Sequence, residues 1–351
     1  MTAASEPSGC VVRITGVGAE VPPRRVTTAE IEARLDVGRF GFAPGWIEKA
    51  TGVHERRWAE PEVEPRDLAA AAARRALERA CVDPSDVDTV VYCGISKDFI
   101  EPATSNAVAE AVGAVGARVF DVMNACNGIV DGLDLADALI RAGRARRVLL
   151  ATGERASRYI AWDAGNADEL RRAVAGMAVG DGGGALVVER TDDPARGLLE
   201  REHRSDPTQW RHALGGKLRA EADACPACGS ITDMRFTCDG HALFRGVFGL
   251  LVPTAHAVLE KTGWRLDDID ILFLHEAGRR FVDVATSGLG EDRAALAKLW
   301  STAGRYGNTS SMTLPLQMND ALAAGALVPG TKVLAIGVAA GVSVGAVTMV
   351  W

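Results

Sequence analysis

The sequence predicts a layered α/β protein built from two similar halves. Segments with strand character alternate along the chain with amphipathic helical segments, an order typical of sheets covered by helices. Short segments also recur at an offset of 182 residues, so that LER at 77–79 returns as LEK at 259–261. A duplication with this order favours two similar sheets that enclose shared helices.

The first half contains the segments that define the repeating unit. Apolar runs predict strands over 11–17, 88–93, 148–154 and 183–190, and a further strand that leads to Cys126. Helices are predicted over the alanine-rich stretch 67–80, from about residue 106, and after Cys126, where GIVDGLDLADALIRAG is amphipathic.

The second half repeats this order. We predict a helix over 250–262, strands over 269–274 and 333–338, a helix after Asn308, and a closing strand in GAVTMVW. The domain boundaries that follow are 1–190 for the N-terminal half and 191–351 for the C-terminal half. Two stretches, 155–179 and about 191–233, have no counterpart and are predicted insertions, where loops would shape specificity.

Composition excludes several classes of function. The chain has 351 residues, 48% of them hydrophobic, which is enough for a sizeable core. Its net charge of −7 and the lack of a basic block argue against a nucleic-acid partner. The N-terminus lacks the pattern of a signal peptide, and no apolar run approaches the ~20 residues of a membrane helix. Seven dispersed cysteines fit a reduced compartment, so we expect a cytoplasmic protein without a membrane partner.

Cys126 is the strongest candidate for a nucleophile. It stands in FDVMNACNG, where a strand-like run gives way to a helix, and unpaired N–H groups at a helix start favour a thiolate. A cysteine nucleophile suits acyl thioesters, because exchange between thioesters costs little and leaves the acyl group reactive. We therefore expect an acidified thiol that carries an acyl group.

The repeat brings two further residues into register with cysteines of the first half. At the offset of 182, Cys93 falls on His275 and Cys126 falls on Asn308. His275 follows the strand IDILFL, at the strand end where α/β active sites usually form. A neutral imidazole and an amide can hold a carbonyl oxygen as it gains negative charge, which stabilises an enolate.

These motifs together resemble the β-ketoacyl-acyl-carrier-protein synthase III type of thiolase-superfamily condensing enzyme. The pieces that carry the resemblance are TGVHERRW at 51–58, the Cys126 loop, GDGGGALVV at 180–188, His275 after its strand, GNTSS at 307–311 and the closing GVAAGVSVGAVTMVW. The chain departs from that family at HEAGRR, 275–280, and at Val344. These departures leave the identity of the substrate open.

The resemblance implies a thiolase-like fold, with duplicated halves in a five-layer α-β-α-β-α arrangement, and a homodimer. It also implies that Cys126 takes the acyl group while His275 and Asn308 activate the second substrate. The backbone N–H groups of Cys126 and Ala340 would form the oxyanion hole. Acyl-CoA, or the phosphopantetheine of an acyl-carrier protein, would be the substrate carrier, and no cofactor is required.

Glu101 is a candidate general base. The run KDFIEPATS is similar to the thiolases of bacterial long-chain olefin biosynthesis, which join two acyl-CoA chains and whose glutamate reaches across the dimer. A non-decarboxylative Claisen step needs a base for the α-proton. If Glu101 is only a solvated loop acid, decarboxylation of a malonyl unit would supply the carbanion instead.

The sequence also contains one candidate metal site. Cys225, Cys228, Cys238 and His241 form a C-x2-C, x9, C-x2-H pattern that could hold one tetrahedral zinc, although loop thiols without metal, or an oxidised cysteine pair, are together the favoured interpretation. The sequence therefore favours an acyltransferase that performs Claisen condensation to a β-ketoacyl product. The alternatives are acyl transfer to a hydroxyl or amine, giving an ester or amide, and a non-catalytic scaffold stabilised by zinc.

Overall fold

A computed structural model describes residues 11–218, 232–290 and 294–351 of the chain. The strands are β1 (Val11–Glu20), β2 (Arg24–Thr27), β3 (Glu55–Trp58), β4 (Thr89–Tyr92), β5 (Arg118–Asp121), β6 (Arg147–Glu154), β7 (Gly182–Thr191), β8 (Gly197–Ser205), β9 (Ala213–Leu214), β10 (Lys217–Leu218), β11 (Thr232–Asp233), β12 (Thr237–Cys238), β13 (Ile271–Leu274), β14 (Lys332–Ala339) and β15 (Ser343–Val350). The helices are α1 (Thr28–Leu35), α2 (Trp46–Thr51), α3 (Pro65–Ala80), α4 (Thr104–Val112), α5 (Gly128–Arg141), α6 (Ala167–Ala173), α7 (Gly240–Thr262), α8 (Arg279–Leu289), α9 (Ala294–Lys298), α10 (Ala303–Tyr306) and α11 (Thr313–Ala323).

Two sheets of matching topology form the framework. The first runs β1-β7-β6-β4-β5, with β4 parallel to both β5 and β6, and with β7 antiparallel to its neighbours. The second runs β8-β15-β14-β13, with β13 parallel to β14 and β15 antiparallel to its neighbours. Position by position, β8, β15, β14 and β13 repeat β1, β7, β6 and β4. The duplication detected in the sequence is therefore a duplication of the sheet.

The second sheet corrects the predicted insertion at about 191–233. Residues 197–205 form β8, which pairs antiparallel with β15 and takes the place that β1 has in the first sheet. The sequence GLLEREHRS hides this strand, because it is an edge strand whose charged side chains are mostly partly exposed. The unmatched stretch begins after β8, and the predicted boundary between residues 190 and 191 falls before the last residue of β7.

The sheets and helices stack in five layers, as predicted. Helices α5 and α11 lie between the sheets, and one apolar core joins them to both: Val91 and Leu150 of the first sheet, Leu133 of α5, Met318 of α11, and Phe273 and Ala335 of the second sheet. Helices α3 and α4 cover the outer face of the first sheet. Helices α7 and α8 cover the outer face of the second.

The composition of the outer helices explains how they pack. Helix α3 begins with proline at its first turn and buries a stripe of alanines, including Ala69, Ala72 and Ala76, against β1, β6 and β7. Small side chains let this helix approach the sheet closely. Helix α7 is long and apolar enough to cross a membrane by length and composition alone. Here Val247, Leu251 and Val258 belong to the core of the second sheet, so α7 occupies the place of an outer-layer helix.

Candidate active site

Cys126 lies in the tight loop that joins β5 to α5, two residues before the helix begins. Ala125, directly before it, has a φ of 44°, in the left-handed region that residues other than glycine rarely adopt. Position 128, where the helix begins, requires glycine, because a Cβ there would lie 2.4 Å from the carbonyl oxygen of Cys93. The small residues of NACNG therefore allow a sharp turn at the end of the first sheet.

The Cys126 thiol is a weak acid in the folded protein. Burial raises its pKa to about 11, the charge of Glu154 acts in the same direction, and a hydrogen bond with Ser310 opposes them. The prediction of an acidified thiol is therefore wrong, because lost solvation outweighs the proximity of the helix start. At neutral pH the resting group is the thiol, and its proton must leave as the sulfur attacks.

His275 follows the last residue of β13 directly, and its side chain lies beside the start of α11. Its backbone N–H donates to the carbonyl of Ile336 on β14 at 2.9 Å, and its Nδ1 lies 3.1 Å from the Thr313 hydroxyl. The side chain is buried, which lowers its pKa to about 4, while a hydrogen bond with the backbone of Ser310 opposes the shift. The imidazole is consequently neutral at pH 7.

Asn308 is fixed by backbone bonds to the first half of the chain. Its N–H donates to the carbonyl of Ala178 at 2.8 Å, and its own carbonyl accepts from the N–H of Gly180 at 2.9 Å. Gly307, with a φ of 73°, makes this possible, since a Cβ there would lie 2.3 Å from the Ala178 carbonyl oxygen. Side-chain Oδ1 accepts from the N–H of Ser310 at 2.9 Å, which leaves the amide nitrogen to donate elsewhere.

Ser310 links the three predicted residues. Its hydroxyl lies 3.6 Å from the sulfur of Cys126, and its N–H donates to the side chain of Asn308. Its carbonyl accepts from the Thr313 hydroxyl at 2.8 Å, and that hydroxyl lies 3.1 Å from Nδ1 of His275. The structure therefore brings together three groups that the sequence places on the start of α5, the end of β13 and the loop before α11. Sequence reasoning missed Ser310 itself, although GNTSS contains it.

Ala340 lies in the turn that joins β14 to β15. The hydroxyl of Ser343, at the end of this turn, donates to Oδ1 of Asn124 in the Cys126 loop at 3.3 Å. The hairpin that carries Ala340 therefore lies against the loop of the nucleophile. The predicted oxyanion role of the Cys126 and Ala340 N–H groups remains a prediction.

Glu101 lies apart from this cluster within one chain. It is exposed on the loop between β4 and α4, next to Ile100, whose side chain is 98% exposed. The contacts of the described residues do not join Glu101 to Cys126, His275 or Asn308. The role of Glu101 at this site therefore stays a prediction.

Comparisons with known proteins agree with this geometry. Residues 120–207 match the family model of 3-oxoacyl-[acyl-carrier-protein] synthase III, and residues 259–351 match the model of its C-terminal part. The chain is 31% identical over 347 residues to the β-ketoacyl-[acyl-carrier-protein] synthase III of Solibacter usitatus, covering 97% of this chain and 98% of the relative. The chain belongs to the synthase III family of thiolase-superfamily condensing enzymes.

Solved structures give the same fold. The 3-oxoacyl-[acyl-carrier-protein] synthase III of Aquifex aeolicus matches with a TM-score of 0.83 at 25% identity, over 97% of this chain and all of that one. OleA of Xanthomonas campestris matches with a TM-score of 0.87 at 23% identity, over 98% of this chain and 99% of that one. The thiolase-like fold predicted from the sequence is thus confirmed.

This synthase III family member also has a buried carboxylate near the nucleophile. Glu154, at the end of β6, accepts from the N–H groups of Ile95 at 3.0 Å and Ser96 at 3.1 Å, and from the Ser311 hydroxyl at 2.6 Å. Burial raises its pKa. No local sequence pattern indicates this contact, because it forms between the end of β6 in one half and the loop after Asn308 in the other.

The departure HEAGRR also has a structural explanation. Glu276 is buried and accepts from the N–H groups of Thr302 at 2.8 Å and Ala303 at 3.1 Å, and from the hydroxyl of Ser301 at 2.5 Å. The carboxylate therefore anchors the chain that leads to Asn308. Glu276 therefore supports the segment that precedes Asn308, and the departure from the family pattern leaves Cys126, His275 and Asn308 in place.

The candidate zinc ligands are only partly described. Cys225 and Cys228 lie outside the described residues, whereas Cys238 is buried on β12 and His241 is in the first turn of α7. Within 11–218, 232–290 and 294–351, no group of three or more His, Cys, Asp or Glu side chains is arranged to hold a metal ion. The zinc site stays a prediction.

Proposed function

We propose that this chain is an acyltransferase that loads an acyl group from acyl-CoA or an acyl-carrier protein onto Cys126. It then uses the acyl-enzyme for Claisen-type condensation to a β-ketoacyl product, in the cytoplasm and with no cofactor beyond the carrier. The observation that carries the proposal is the hydrogen-bonded cluster in which Ser310 contacts Cys126 and Asn308 directly and reaches His275 through Thr313. OleA, of the same fold, has been solved with bound lauric acid and lauroyl-CoA, which supports an acyl-CoA donor.

Loading begins with a thiol whose pKa is about 11. The sulfur of Cys126 attacks the thioester carbonyl carbon, the bond from that carbon to the carrier sulfur breaks, and the thiol proton passes to the departing carrier thiolate. The N–H groups of Cys126 and Ala340 would donate to the oxygen that becomes negative in this step. A neutral resting thiol keeps Cys126 stable until a donor is bound.

Condensation requires a carbanion next to a second thioester. The neutral imidazole of His275, in the tautomer that presents an N–H, and the side-chain amide of Asn308 would donate to the oxygen of that thioester as an enolate forms. The carbanion then attacks the acyl carbon on Cys126 and forms a carbon–carbon bond. The bond from that carbon to the sulfur breaks, and the sulfur leaves as a thiolate that takes up a proton to restore the resting thiol. Neutral donors such as His275 and Asn308 suit this step, because they form no strong ion pair with the second substrate before the enolate appears.

A homodimer is part of the proposal, because Glu101 is exposed on its own chain and has no contact there with Cys126, His275 or Asn308 among the described residues. The strand β5 is at the edge of the first sheet. Two apolar side chains are exposed: Met123, two residues after β5, at 61%, and Ile100, next to Glu101 on the loop before α4, at 98%. Exposed apolar groups beside a sheet edge favour association with another chain. In a dimer formed through this edge, the loop of Glu101 would meet the Cys126 loop of the partner.

Replacing Glu101 with alanine should separate the two sources of the carbanion. If Glu101 removes the α-proton, Glu101→Ala keeps loading of Cys126 and loses condensation by roughly 10²- to 10⁴-fold. The measurement is adduct mass for loading and product formation for condensation, with Glu110→Ala, an exposed glutamate on α4, as the matched control. Condensation at the wild-type rate would remove Glu101 from the mechanism and favour decarboxylation of a malonyl unit.

Product analysis tests the proposed function as a whole. Purified protein mixed with acyl-CoA, and with acyl-CoA plus malonyl-CoA or a malonyl carrier protein, should yield a β-keto acid or its decarboxylated ketone. If the only product is an ester or amide, formed when a hydroxyl or amine acceptor is added, the function is acyl transfer to that acceptor and not condensation. No product and no adduct with any donor would leave the scaffold as the surviving alternative.

A further inference from the structure

Asp131 connects the two asparagines that flank the nucleophile. Its Oδ2 accepts from Nδ2 of Asn124 at 2.6 Å, and its Oδ1 accepts from Nδ2 of Asn127 at 2.8 Å. The carboxylate is in the first turn of α5, where a negative charge is favoured by the helix start. One side chain therefore ties both ends of the four-residue loop that contains Cys126.

The loop needs such a restraint because its backbone is strained. Ala125 adopts a φ of 44°, a conformation that costs about 1–3 kcal/mol and persists only where the surroundings enforce it. Asn127 is buried, and its Oδ1 has no hydrogen-bond partner among the described residues, so the bond to Asp131 is what orients its side chain. Without that bond the loop would lose its main side-chain anchor.

His203 completes the cluster from the second sheet. Its Nδ1 lies 3.2 Å from Oδ1 of Asp131, and the side chain points from β8 toward α5. The charged groups that face it are Asp131 and Asp134 on α5 and Arg201 on β8. The hydrogen bond to Asp131 raises the pKa of His203, Asp134 adds to this, and burial and Arg201 oppose it.

We propose that Asp131, held by His203, is the positioning residue that fixes the Asn124–Asn127 loop and so aims the sulfur of Cys126 at the acyl donor. This inference rests on the proposed function, since it takes Cys126 as the nucleophile. It assigns a role to His203 and Asp131 in the rate of loading. It assigns them none in binding the donor.

Asp131→Asn is the direct test. An asparagine carries one acceptor and one NH2 group, so one of the two flanking amides would face a donor and the loop would shift. Loading of acyl-CoA onto Cys126 should slow by roughly 10²-fold, as expected for a displaced nucleophile, while the KM for acyl-CoA changes little. Asp168→Asn is the control, because Asp168 is exposed on α6, pairs with Arg171 and lies outside the cluster of Asp131 and His203. Loading by Asp131→Asn at the wild-type rate would overturn the proposal, as would a slower rate explained wholly by a raised KM.

His203→Gln keeps the proposal testable if Asp131→Asn does not fold. Glutamine can still donate to Asp131 but carries no charge. Cys126 titrates in both proteins, so its own titration cancels in the ratio of wild-type to variant rates. Below the pKa of His203 this ratio should be roughly twofold or more, and it should fall to one as the pH rises and the imidazole loses its charge. A ratio that stays constant across this range would overturn the role of His203.

Iodoacetamide separates failure of this inference from failure of the proposed function. If no acyl donor loads the wild-type protein, the proposed function fails. The ratio of wild-type to His203→Gln rates can then be measured from alkylation of Cys126 by iodoacetamide, followed by peptide mass. The same fall with pH would support the coupling of His203 to the loop, and a constant ratio would overturn it.

Discussion

His275→Ala is expected to keep the acyl-enzyme and lose condensation. The imidazole is neutral because burial lowers its pKa to about 4, and we propose that it donates to the oxygen of the second substrate. Removing one such donor typically lowers kcat roughly 10²- to 10³-fold. The measurement pairs the adduct mass on Cys126, which should be unchanged, with the rate of β-ketoacyl formation, which should fall by this factor.

His256→Ala is the matched control for this variant. His256 is an exposed histidine on α7, and its loss should leave both steps at the wild-type rate. Two outcomes would contradict the assignment. One is condensation by His275→Ala at the wild-type rate. The other is a parallel loss of loading and condensation in a folded protein, which would place His275 in the first step.

Arg56→Ala is expected to cause the largest loss of stability. Arg56 is fully buried on β3 and donates to the Thr28 hydroxyl at 2.9 Å and to the carbonyl of Met177 at 3.0 Å. It also packs beside Gly307, where a Cβ would lie 3.1 Å from the Cβ of Arg56. Alanine would leave a cavity and buried acceptors without donors, so unfolding should become easier by about 4 kcal/mol.

Urea unfolding at pH 7 measures this change. Burial lowers the pKa of Arg56 to about 10, so the guanidinium is still charged at that pH. Arg25→Ala is the control on the neighbouring strand β2, because Arg25 is largely exposed and its pair with Glu55 should contribute less than about 1 kcal/mol. If the two variants lose similar stability, the buried hydrogen bonds and packing of Arg56 do not stabilise the fold as expected.

The sequence contained enough to predict the fold and the three residues that meet at Ser310. Strands buried on both faces, such as β6 and β14, are long apolar runs, and the offset of 182 residues places Cys126 opposite Asn308. Apolar runs and a repeat offset are properties of the sequence itself, so they can be detected without a structure. The strand β8 was missed because an edge strand with charged side chains has no apolar run.

Other features depend on contacts between distant segments, which the sequence does not reveal. The pKa of Cys126 was predicted in the wrong direction, because a helix start is visible in the sequence and burial is not. The contacts of Ser310 with Cys126 and of Ser311 with Glu154 form only after the two halves pack together. The bonds of Asp131 to Asn124 and Asn127 are nearly local, and the i, i+4 spacing of Asn127 and Asp131 was the signal that could have shown them.

The mass of the intact protein after mixing with acyl-CoA tests the central claim, a covalent acyl group on Cys126. The account predicts one acyl adduct per chain in the wild type and in Cys81→Ser, which removes an exposed thiol, and no adduct in Cys126→Ala. An adduct that persists in folded Cys126→Ala, or no adduct in the wild type with any acyl donor, would contradict it.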